Sequence, residues 1–328
     1  MLHRFVVAIG AGCAAALLFV VSAQSSILAM TLAYLAPLPI MIATLGWGLD
    51  GGAIAAAISI AVLAVVAEPL SAVVFAASVA VPAWALAAFA VTPLARYIKW
   101  LKPNAPVHPP VGAIISLAAL LGMLGGVAVL TAIIVTYGGY SEGARHIAEA
   151  IATLAGDAFE SAPGNLTARE FADALVRYGP LAIAASTMMM LCVNLYGAAR
   201  STQLSRNLPR AWPDLPSSLA LPWPVGVAFL ACLGAAYALP APAAQYFSIG
   251  VGGLGAALAL QGLAVAHALS RGLKMRPLML VALYACCILR AKYTLPVLAG
   301  LGIIDAFLKL RSRAALIASP SPTGQTRR

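Results

Sequence analysis

The sequence predicts an all-α fold: a polytopic transmembrane helical bundle of about ten membrane segments. Three observations carry this expectation. Of 328 residues, 62% are hydrophobic and only 9% are charged, whereas a soluble domain needs about 25% charged residues to cover its surface. Apolar runs long enough to cross a bilayer recur along the chain, separated by turn residues. The bases lie in clusters at wide intervals: Arg96, Lys99 and Lys102; Arg200, Arg206 and Arg210; Arg271, Lys274 and Arg276; then Lys309, Arg311 and Arg313. Basic loops stay on the cytoplasmic side, so an even number of crossings separates successive clusters. Residues 1–313 read as one integral membrane domain, with a disordered cytoplasmic tail at 314–328. The expected location is the bacterial inner membrane, with both termini cytoplasmic.

The first span runs from about Phe5 to Ala23. It also has the form of a signal peptide, with a cleavage site at Val21–Ala23, but its apolar stretch is longer than the usual 7–15 residues and favours an anchor. Ala8, Gly12 and Ala16 form a small-residue stripe, which packs either inside the protein or against another membrane subunit. The second span, about Ile27 to Gly46, contains Pro37 and Pro39. Each removes a backbone donor, so a break is expected there. A Gly-rich turn from Trp47 to Gly52, with Asp50 within it, leads to a third span at 53–67. The fourth, 70–95, contains Pro82 and ends in the first basic cluster.

Val111 to Tyr137 is the fifth span. Residues 138–177 form an acidic extracytoplasmic loop holding six of the ten acids. Within it Ile147, Ile151, Leu154 and Phe159 recur at helical spacing, which predicts an amphipathic helix on the outer surface. Thr167 and Glu170 fit a capping box that opens a second short helix. Tyr178 to Ala199 is the sixth span. A Pro-rich loop at 200–222 places Trp212 and Trp223 at the headgroup boundary. Spans seven and eight, 224–239 and 243–269, are joined by Pro240 and Pro242. Gly250, Gly252, Gly253 and Gly255 permit close helix approach or line a cavity.

The last apolar region, 277–308, would be about 48 Å long as one helix, against a hydrocarbon core of about 30 Å. Its basic flanks demand an even number of crossings. A short helical hairpin with Arg290 and Lys292 at the apex satisfies both conditions. Asp305 then lies too far along the returning helix to pair with Lys292. It is expected to cap at the interface and meet Lys309 or a base of the third cluster.

Catalytic chemistry is hard to assemble from this composition. Cys13, Cys192, Cys232, Cys286 and Cys287 lie in apolar runs without metal or redox spacing. The four histidines, His3, His108, His146 and His267, are scattered. No HExxH or P-loop pattern occurs, nor a GxSxG-type nucleophile with a plausible His, so no cofactor or metal is implied and the chain carries no ATPase of its own. The bases are not interleaved with aromatics on a helix face, which argues against nucleic acid and for the lipid bilayer. Asn194 and Gln261 are the mid-span amides that either touch a ligand or hydrogen-bond between helices.

Two stretches carry a resemblance. Tyr34 to Gly52, with Pro37, Pro39, Gly46 and Asp50, resembles the second helix and turn of the YybS-like uncharacterised bacterial membrane proteins. Gly300 to Arg311, with Asp305 and Phe307, resembles their C-terminal end. That family is distantly similar to the substrate-binding membrane subunits of energy-coupling-factor transporters. The resemblance implies a transport-related protein that binds a small solute in its helix bundle. The alternative is a non-catalytic scaffold or partner subunit of a cell-envelope complex. An enzyme is the weakest reading.

Overall fold

Hydrocarbon offers no partner for backbone polar groups, so a chain this apolar must satisfy them within helices. The computed structural model describes residues 2–21, 27–93, 106–155 and 167–311. Among these, every regular element is helical. The first half comprises α1 (Leu2–Val20), α2 (Ile27–Tyr34), α3 (Pro37–Trp47), α4 (Leu49–Val66), α5 (Pro69–Phe75), a π-helical turn (Ala76–Ala80) and α6 (Val81–Val91). Then come α7 (Val111–Tyr137), α8 (Tyr140–Ala155), α9 (Ala168–Leu204) and the short α10 (Leu215–Ser218). The chain closes with α11 (Trp223–Ala238), α12 (Ala243–Leu269), α13 (Arg276–Leu289) and α14 (Ala291–Leu308). Among the described residues, seven helical stretches are long and apolar enough to cross a membrane. Three shorter apolar ones, Thr31–Trp47, Trp223–Ala238 and Arg276–Leu289, stand beside them.

The proline pair breaks the second span at its N-terminal side. Pro37 and Pro39 both fall in the first turn of α3, where a missing N–H costs nothing. Three bonds of i to i−3 type, from Leu35, Ala36 and Leu38, carry the backbone across the break. The Gly-rich turn is tighter than expected. Only Gly48 turns the chain, at φ 96°, and Asp50 already sits in the first turn of α4, where a carboxylate suits the helix dipole. Gly46 faces Thr202 of α9, at the distance of an ordinary contact. Gly52 is a packing residue, since a Cβ there would overlap Thr44.

Small residues set the helix contacts. Ala8 and Ala16 are buried, and a Cβ on Gly12 would collide with the Ala55 carbonyl and Ile58 of α4. The stripe on α1 therefore packs inside the chain. Gly250, Gly252 and Gly253 meet Cys232, the Leu181 carbonyl and Met123 respectively, so α12 is wedged among α11, α9 and α7. Where α12 meets α14, a Cβ on Gly262 would overlap the Leu298 carbonyl, and one on Gly302 the Leu258 carbonyl. Backbones this close leave no room for a methyl group.

Two sequence expectations need correction. The capping box at Thr167 forms, with Glu170 N–H donating to Thr167 Oγ1 at 3.2 Å and Thr167 N–H to Glu170 Oε2 at 2.9 Å. The helix it opens does not stop before the sixth span, because α9 runs unbroken for 37 residues with Pro180 inside it. Tyr140 of α8 donates to the Leu175 carbonyl at 2.7 Å, and Gly179 leaves space for that hydroxyl. The second correction concerns α8, which is amphipathic but buries Tyr140, Ala144 and Ala148 against α7 and α9. Ile147 and Ile151 are half-buried at the edge of that face. The Leu154 side chain and Phe159 lie outside the described residues, as do the first basic cluster, Arg313, the cleavage site and residues 314–328.

The 277–308 region is two helices, not one. The chain breaks at Arg290, with φ −134° and ψ 36°. Thr294 Oγ1 stitches the break by donating to the carbonyls of Cys286 and Arg290. Lys292 sits 4.9 Å from the centre of the Tyr293 ring. At 14 residues, α13 spans about 21 Å, less than a hydrocarbon core of about 30 Å.

Candidate functional site

The ends of helices are where backbone carbonyls lack partners, and in this bundle Arg210 and Arg311 take up main-chain carbonyls at one end, where Arg271 pairs with an acid. Arg210, in the loop between α9 and α11, donates from Nη1 to Ala90 in the last turn of α6, at 2.9 Å, and to Pro109 just before α7, at 3.2 Å. Arg271, after α12, pairs with Asp214 of that same loop at 2.6 Å. Arg311, after α14, donates to the carbonyls of Pro216, at 2.8 Å, and Leu219, also in that loop. The second, third and fourth basic clusters and the flanks of the first thus meet at one end. The spacing of clusters in the sequence anticipates this convergence.

Asp305 is buried, 4% exposed, and is not an interfacial cap. Its partner is Arg311, neither Lys309 nor the third cluster. Arg311 Nη2 and Nε donate to Asp305 Oδ2 at 2.7 and 3.2 Å. Lys309 adopts φ 50°, a left-handed turn that folds the chain back and brings Arg311 beneath the carboxylate. Gln261 Nε2 donates to the same Oδ2 at 2.8 Å, and its Oε1 accepts from Leu221 N–H at 2.8 Å. This polar knot ties α12, α14 and the loop before α11 together. Gln261 is committed on both ends of its amide.

Asn194 of α9 also works between helices. Its Nδ2 donates to the carbonyls of Tyr34, at 2.7 Å, and Met190, at 2.8 Å. The Tyr34 carbonyl belongs to the last residue of α2, ahead of the proline break, so Asn194 supplies a donor there. Its Oδ1 is buried without a partner. The structure does not bring Asn194 and Gln261 to one cavity wall.

A cavity of about 240 Å³ does lie between α7, α9 and α12 under the loop at 210–219. Ile114, Met189, Cys192 and Leu260 are among its walls, and Arg210 and Trp212 among its roof residues. Val193 and Tyr196 on its lining are exposed, which opens it to the side of the bundle. Across Arg210, a second and open hollow of about 340 Å³ is bounded by Gln203, Arg206, Leu208 and Pro209. Burial lowers the Arg210 pKa, and burial together with the Arg210 charge lowers that of His108. Asp214, bonded to the Ser217 hydroxyl and then to Arg271, is held below the usual carboxylate range.

The profile of a family described as "Predicted membrane protein (DUF2232)" matches residues 13–306. The chain belongs to this family. No curated protein and no solved structure matches it. In this DUF2232 protein the matched region takes in Arg210, Trp212, Gln261 and Asp305, and ends before Arg311. Sequence reasoning placed Trp212 at a membrane boundary but did not join it to Arg210 as a cavity roof. The available signal was an arginine and a tryptophan two residues apart in a Pro-rich loop.

Proposed function

We propose that this DUF2232 protein is a ten-crossing membrane protein that binds a small solute in its helix bundle, in a transport-related role, without an ATPase of its own. The observation that carries this reading is the apolar cavity roofed by Arg210 and Trp212. Small-molecule sites are concave and mostly apolar, with a few placed polar groups. The resemblance to energy-coupling-factor binding subunits points the same way. Native mass spectrometry of protein released gently from its own membranes tests the reading. A bound small molecule is expected, and Cys192→Phe, which fills the cavity, removes it. Protein devoid of any ligand, with the variant indistinguishable, would contradict it. In that case co-purification with envelope-synthesis proteins favours the scaffold, and with an ATPase pair favours a transport subunit.

The topology belongs to the same proposal. The seven long and three shorter apolar helices give four crossings before the first basic cluster and two between each later pair. The convergence of Arg210, Arg271 and Arg311 at one end supports a cytoplasmic assignment for that end. Cysteines placed at Ser201 and Ser217 are expected to resist an impermeant thiol reagent applied from outside, while one at Ser161 reacts. Outside labelling at Ser201 would overturn the topology.

A further inference from the structure

We propose that the cavity beside Arg210 holds the tail of a single-chain anionic amphiphile, such as an alkyl phosphate, whose head is received by Arg210 and Trp212. This rests on the reading of the cavity as a binding site and adds the chemical class of its occupant.

Unsatisfied polar atoms point to the head. Among the described residues, five buried side-chain atoms lack a hydrogen-bond partner: His108 Nδ1, Asn194 Oδ1, Arg210 Nε, Trp212 Nε1 and Arg276 Nε. Native proteins leave few such atoms, because each costs about 1–3 kcal/mol. Three of the five lie on or beside this one roof. His108 is adjacent to Pro109, whose carbonyl Arg210 already holds. The Arg210 and Trp212 nitrogens are obligate donors, so the missing partner is an acceptor. The loop's own acid, Asp214, is engaged by Ser217 and Arg271. An anionic head therefore meets uncompensated positive charge, and the open hollow with Arg206 keeps it in reach of water.

The cavity defines the tail. Its lining is apolar apart from the roof, and about 240 Å³ is below the roughly 300–1,000 Å³ of drug-sized sites. That is room for one alkyl chain, entering past Val193 and Tyr196 from the bilayer. A two-chain lipid would leave its second chain outside.

Tryptophan fluorescence of the full chain in phosphatidylcholine nanodiscs tests this, with bromododecyl phosphate as quencher and bromododecanol as its neutral counterpart. The phosphate is expected to quench saturably, and the quenching is lost in Trp212→Phe and Cys192→Phe. Arg210→Gln weakens binding about tenfold, as expected for one charge-assisted hydrogen bond, and leaves bromododecanol unaffected. Should Arg210→Gln fail to fold, Arg210→Lys keeps the charge without the Nε donor and is also expected to bind more weakly. Equal quenching by phosphate and alcohol, both abolished by Cys192→Phe, would keep the cavity as a site and overturn the anionic class. Competition by phosphatidylglycerol at the same mole fraction would make the occupant a bilayer lipid and overturn the single chain. No saturable quenching of Trp212 by either probe would sink both this inference and the reading beneath it.

Discussion

Arg311 and Arg210 stand at the same end of the bundle and both grip main-chain carbonyls, yet one is complete and the other is not. All three guanidinium nitrogens of Arg311 donate, to Asp305, Pro216 and Leu219, and Gln261 closes the circuit. Arg210 spends one nitrogen on Ala90 and Pro109 and leaves Nε buried and unpaired next to the idle indole of Trp212. A buried arginine with a carboxylate beneath it is a structural tie. One with orphan donors beside an apolar cavity is the observation on which the proposed anionic head group rests. The two arginines differ in how much of their hydrogen-bonding capacity the chain itself satisfies, not in burial alone.

The contrast can be broken by substitution, and the largest effect belongs to the knot. Asp305→Leu strands Arg311 in a buried position and is expected to cost about 3–5 kcal/mol, seen as a large drop in thermal stability in detergent. The double variant Asp305→Leu with Arg311→Met removes both charges and should recover much of that loss. A single variant as stable as wild type would mean that the pair is not buried in the membrane protein. Gln261→Leu comes next, at about 1–3 kcal/mol, because Leu221 N–H is left without an acceptor. Arg210→Gln is expected to lose about 1–2 kcal/mol in stability, since a Gln amide keeps at most one of the two bonds at the bundle end. An Arg210 loss as large as that of Asp305→Leu would erase the distinction.

The smallest effect is with pH. Because the His108 pKa is lowered from 6.5 in the fold, the unfolded chain takes up a proton that the folded chain resists. Stability therefore falls as pH drops through about 6.5, with no such contribution above it. Unfolding midpoints measured between neutral and mildly acid pH should flatten in His108→Gln. A slope unchanged by that substitution would remove His108 from the roof.

Much of the architecture was legible because membrane helices announce themselves by length and apolarity. Tyr137 ends α7 where the sequence places it, and Pro37 and Pro39 break the second span. The second, third and fourth charge clusters foretold that their loops gather at one end. What escaped depended on contacts between distant segments. The sequence reading opens a separate short helix at Thr167, whereas α9 runs on through Pro180 into the sixth span. Asp305 reads as a surface acid because its partner arrives by a left-handed turn at Lys309, which no local preference signals. The roof of the cavity joins residues 90, 109 and 210, and no pattern of spacing brings them together. The mid-span amides were recognised, but as either ligand contacts or helix ties; the geometry shows both bonded between helices.

The comparison predicts two indole groups with opposite behaviour. Trp84 Nε1 donates to the Leu49 carbonyl at 3.1 Å, whereas Trp212 Nε1 is buried without a partner. Indole N–H resonances in nanodiscs, assigned through Trp84→Phe and Trp212→Phe, report each donor separately. On addition of dodecyl phosphate the Trp212 signal should move downfield as it gains an acceptor, while that of Trp84 stays in place. A Trp212 resonance that does not respond, or that moves no more than Trp84, would contradict the account.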